Sequence, residues 1–176
     1  MEDRLYVTIE LQFAGTRENI RQTLEQLGKM LGREVEVRAQ RHRATGTSGG
    51  AEAVGAPEYL RIVGTIAKHV ARVFADSQTR FEQSASAEGS PLMFRLAYAS
   101  LLDGLLQAEE AFGCASAPAS MRPMESAFAG ILHSIYDQVA AWPDKFDRDA
   151  ANLQSDSYQA SLRVSCDLRP YYQAIS

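Results

Sequence analysis

The chain has 176 residues, a formal net charge of −4 and 45% hydrophobic residues. These ordinary values fit one globular domain over 1–176 and exclude a disordered or strongly basic chain. The two cysteines, Cys114 and Cys166, are too few for a disulfide framework or a four-cysteine zinc site. No apolar run reaches the roughly 18–20 residues of a membrane span, and the N-terminal stretch has no signal-peptide core.

Residues 5–13 read LYVTIELQF, with Leu5, Val7, Ile9, Leu11 and Phe13 alternating with Tyr6, Thr8, Glu10 and Gln12. Period-2 alternation of this length predicts a strand with one buried face. Gly15 breaks it, and Thr16 is placed to cap a helix. The strand–turn–helix geometry suits anions, but one glycine without a following Lys-Ser/Thr reads as a plain connection. Ile20, Leu24, Leu27 and Leu31 carry the helix over 16–31, and Gly32 stands where a terminating glycine belongs. Val35, Val37 and Ala39 then alternate with Glu36 and Arg38, which predicts a second strand over 34–40, parallel to the first. Arg33, Arg38, Arg41 and Arg43, with His42, form the one basic cluster, interrupted by Glu34 and Glu36. It reads as a solvated strand end, and no nucleic-acid surface is expected.

Residues 44–57, ATGTSGGAEAVGAP, predict a flexible linker. Helices are expected near 57–82, 91–113 and 123–142. The first has the broad face Tyr59, Ile62, Val63, Ile66, Val70 and Phe74. The second opens on Ser90-Pro91 and follows Phe94, Tyr98, Leu101, Leu105 and Phe112. The third follows Phe128, Leu132, Ile135 and Val139, with Pro143 as its stop. Short connections make these helices antiparallel neighbours. Residues 144–157 are polar and acidic, so a surface connection is expected. Tyr158, Ala160, Leu162, Val164, Cys166 and Leu168 alternate with polar residues and predict a strand over 158–168 that shares a sheet with the first. The fold class expected is therefore α+β: an N-terminal strand–helix–strand unit, a three-helix antiparallel section, and a C-terminal strand returning to the sheet.

No motif calls for a cofactor, a metal or a nucleophile. His133 and Asp137 are spaced to share one helix face, and Glu109, Glu110 or His69 would have to complete any metal site there. The Glu-x-x-His pattern of bundle di-iron sites is absent. Cys166 falls in the buried register, and Cys114 reads as an exposed free thiol, which fits a reducing cytoplasm.

Residues 1–100 hold 13 basic and 12 acidic side chains, whereas 101–176 hold 5 and 10. This asymmetry favours a non-catalytic protein-binding module, an inhibitor or immunity-type protein that neutralises a toxin or enzyme partner of basic character. Asp137, Asp144, Asp147, Asp149 and Asp156 are the expected partner-binding residues. The polar sheet face around Glu10 and Arg163 is the next candidate. A homodimer is an alternative assembly. The competing expectation is a small enzyme with dispersed residues, using His69 or His133 with a carboxylate.

Overall fold

The computed structural model describes residues 5–45, 53–86 and 90–172. In chain order these form β1 (Leu5–Ala14), α1 (Arg17–Thr45), α2 (Ala56–Ser86), α3 (Pro91–Gly113), a 3-10 turn (Ala119–Met121), α4 (Arg122–Ala140), α5 (Trp142–Asn152), β2 (Ser157–Cys166) and α6 (Arg169–Tyr172). The class is α+β. β1 and β2 pair antiparallel from Leu5 opposite Cys166 to Ala14 opposite Ser157. Ile9, Leu11, Ala160, Leu162 and Val164 are buried beneath the sheet, and the alternate side chains form its polar outer face.

The helices cover the buried face. α2 and α3 run antiparallel, with Phe81 against Phe94 at one end and Tyr59 against Phe112 at the other. α3 and α4 are also antiparallel: Phe112 meets Phe128, and the Tyr98 hydroxyl donates to the Val139 carbonyl at 3.0 Å. A Cβ on Gly104 would stand 2.7 Å from the methyl groups of Val73, so the α2–α3 approach needs glycine there.

Three expectations are corrected. There is no strand over 34–40, and no strand–helix–strand unit with parallel strands, because α1 continues through that segment to Thr45. Val35 is half-buried and Val37 exposed, so the alternating apolar residues share no buried face. Glu34 and Arg38 pair across one helical turn at 2.7 Å and face α3 instead. Contacts with α3 outweigh the β-propensity of two valines.

Pro143 does not stop the third helix; that helix ends at Ala140, and Pro143 sits in the first turn of α5, where a missing N–H costs nothing. The segment expected as a surface connection is mostly α5, anchored by buried Trp142, Phe146 and Ala150 at four-residue spacing. As for the 44–57 linker, its ends belong to α1 and α2, and Val54 donates to the Ser116 carbonyl at 3.3 Å. The rest of it, 46–52, lies outside the described residues.

Candidate functional site

Three places gather the residues singled out by sequence. The first is the seam between α1, α3 and α4. Glu34, Arg38 and His42 recur every four residues along α1 and meet α3 in step. Arg38 reaches Asp103 at 2.9 Å, and His42 Nε2 reaches Glu109 at 3.3 Å. From α4, His133 Nδ1 lies 4.0 Å from Glu109, and its Nε2 lies 3.5 Å from Asp137. Burial holds the Glu109 carboxyl above the usual carboxylate range despite the pull of His42 and His133. Two buried polar atoms nearby, Arg38 Nε and the Tyr136 hydroxyl, find no hydrogen-bond partner. Among the described residues no group of three or more His, Cys, Asp or Glu is arranged to hold a metal ion.

The second place is the sheet. The Gln138 side chain of α4 donates from Nε2 to the Ser165 carbonyl at 3.2 Å and accepts the Ser165 N–H at 2.9 Å. Ser165 therefore turns both backbone groups away from β1. In an antiparallel ladder every second residue does so. Tyr6, Thr8, Glu10 and Gln12, which stand opposite Ser165, Arg163, Ser161 and Gln159, must then present their N–H and C=O groups along the free edge of β1. The Gly15 N–H donating to the Asp156 carbonyl at 3.2 Å fits the same phase, with odd-numbered residues of β1 bonded inward. Among the described residues no side chain caps the β1 edge as Gln138 caps β2.

Beside this edge runs a cleft of about 450 Å³, bordered by Tyr6, Val7 and Thr8 and, from α2, by Ala71, Phe74, Ala75 and Gln78. Consecutive strand residues have side chains on opposite faces of a sheet. A cleft touching three in a row therefore lies at the strand's edge. Cys166 closes one end, and burial pushes its thiol up to about 11, so it is a packing group there. On the outer face, Arg163 stacks over the half-exposed Tyr6 ring at 5.3 Å.

The third place is the set of five aspartates, which the structure does not bring together. Asp156 accepts the Arg17 N–H at 3.0 Å and helps close the start of α1. Asp149 is half-buried, paired with Lys145 at 2.7 Å and bonded by the Tyr158 hydroxyl. Asp144 and Asp147 are exposed on α5 and border a groove shared with Lys29 and Arg33 of α1. An added Cβ at Gly28 would overlap the Asp147 carboxylate, which shows how closely α5 lies on α1. Asp137 belongs with His133. His69 is elsewhere again, half-buried on α2 with Arg72 Nη2 3.5 Å from its Nδ1.

Sequence reasoning found Glu109, His133 and Asp137 but did not connect His42, Glu34 or Arg38 to them. The four-residue spacing of those three was the available signal. It missed Gln138 because a lone amide has no motif. No helix among the described residues is long and apolar enough to cross a membrane. Comparison with known proteins finds no matching family model, no matching curated protein and no matching solved structure.

Proposed function

We propose that this protein is a non-catalytic protein-binding module that takes an extended segment of its partner onto the open edge of β1. The observation that carries this reading is the inequality of the two sheet edges. On β2 the outward groups of Ser165 are capped by Gln138, whereas among the described residues no side chain caps any of the outward N–H and C=O groups of β1, which run beside a cleft with an apolar floor. Unpaired edges are templates for an added strand, whose backbone supplies affinity while alternate side chains fill pockets. Here Phe74, Ala71 and Ala75 would receive an apolar side chain of the incoming segment. Such a module inhibits when the captured segment belongs to a toxin or enzyme. Asp137, Asp144 and Asp147 are exposed and stay available to a basic part of the same partner, while Asp149 pairs with Lys145 and Asp156 bonds to the start of α1.

The test uses extended peptides of about ten residues selected from a displayed library, the length of a long strand. Calorimetry should show one peptide per protein. Thr8→Pro removes an outward N–H and leaves the β1–β2 bonds in place. It should weaken binding at least about tenfold, the loss of one good hydrogen bond in a desolvated strand pair, with Tm close to wild type. Ile9→Pro removes an inward bond and should unfold or strongly destabilise the protein. Peptides that bind equally well to the Thr8→Pro protein would refute strand addition.

A second reading, a small enzyme working through His133, is favoured by one observation. His133 has a carboxylate near each ring nitrogen, Glu109 at 4.0 Å and Asp137 at 3.5 Å. It requires a turnover that His133→Asn abolishes while the binding just described survives.

A further inference from the structure

Between α2 and α3 lies a cleft of about 580 Å³. Its floor is apolar, from Ile66, Ala108 and Ala111, and its rim carries Lys68, His69 and Arg72. No carboxylate borders it. Elsewhere on the helices several cations are neutralised along their own helix. Arg21 pairs with Glu18, Arg61 with Glu58, Arg122 with Glu125 and Lys145 with Asp149. Lys68 and Arg72 lie four residues apart on one helix, a like-charge spacing that costs stability. Among the described residues neither has a carboxylate partner. Two cations without a carboxylate partner beside an apolar floor give the cleft a positive rim that suits an anion from outside.

We propose that this cleft binds a small organic anion with an apolar body, its carboxylate or phosphate held by Lys68 and Arg72 and its body laid on Ile66, Ala108 and Ala111. Arg72 supplies a planar pair of donors to such a head group and Lys68 a point charge. Arg72 Nη2 lies 3.5 Å from His69 Nδ1, so the imidazole stands beside the guanidinium at the same rim. The volume lies within the range of roughly 300–1,000 Å³ usual for small-molecule sites.

Three probes separate the parts of the site: decanoate has both the charge and the apolar body, 1-decanol lacks the charge, and inorganic phosphate lacks the body. Calorimetry should show one decanoate per protein, bound at least about tenfold more tightly than either of the others, a difference of about 1.4 kcal/mol. Lys68→Gln with Arg72→Gln should remove that preference while leaving the far-UV circular dichroism unchanged and Tm the same or slightly higher, since both side chains are exposed and a like-charge pair is removed. Ala111→Phe, at an exposed position of α3, should block decanoate through the floor and not through charge. The proposal is overturned if decanoate binds the double variant as tightly as wild type, if decanol matches decanoate, or if phosphate alone does. A decanoate affinity untouched by Ala111→Phe overturns it as well.

Discussion

Glu109 receives His42 from α1 and His133, Asp137 and Tyr136 from α4, with Arg38 one turn before His42 along the seam. Burial is the largest cause that lifts its carboxyl above the usual range. His42 and His133 oppose the lift and Asp137 adds to it. The sign follows from linkage. A carboxyl whose folded pKa lies above its unfolded value contributes its stability while protonated, and loses it as pH rises through the folded pKa. Glu109→Gln cannot lose a proton. Relative to wild type, the variant should gain stability between about pH 4, near the unfolded value, and about pH 7. Urea denaturation at both pH values measures this, and a flat or opposite difference would contradict the burial of Glu109. Sequence reasoning could name Glu109, His133 and Asp137 as potential neighbours. It could not place His42 with them while 34–40 was read as a strand, since a strand would have turned Glu34 and Arg38 to the same side as Glu36.

At the scale of elements, α1 and α5 were the least legible. Val35, Val37 and Ala39 alternate as in a strand, yet the helix is held by what its other face meets in α3, and that partner is distant in sequence. In α5, Trp142, Phe146 and Ala150 carried a helical period, but Pro143 reads as a stop until it is seen to occupy the first turn. β1, β2 and α3 were legible because each has a strong period over its full length and clear end signals. Two outcomes are expected at this scale. Gln138→Ala strips the cap from the edge of β2 and should cost about 1–2 kcal/mol in urea denaturation, the loss of buried backbone partners. It should also promote concentration-dependent association seen by light scattering, because the outward groups of Ser165 are uncovered on the β2 edge. Gly104→Ala should strain the α2–α3 contact by about 1–3 kcal/mol, offset in part by about 1 kcal/mol of helix propensity. Adding Val73→Ala should relieve that strain. The double variant should therefore be more stable than the sum of the single effects; strict additivity would mean the helices do not meet at this pair.

For the molecule as a whole, the class, the sheet between the two ends of the chain and the antiparallel α2–α3–α4 section were legible from periodicity alone. How the five aspartates stand relative to one another was not, because charge along a sequence says nothing about direction in space. Asp149 turns inward to Lys145 and Tyr158, and Asp156 bonds to the start of α1. Among the described residues the fold leaves the outward backbone groups of β1 without a capping side chain. Amide hydrogen exchange read by NMR, with and without a selected strand peptide, tests that most directly. In the free protein the amides of Thr8, Glu10 and Gln12 should exchange fast while those of Ile9 and Leu11 exchange slowly, since only the latter bond to β2. On adding the peptide, the Thr8 and Glu10 amides should gain at least about tenfold protection. Slow exchange at Thr8 and Glu10 in the free protein, or no gain in protection when the peptide binds, would contradict an open β1 edge as the binding site.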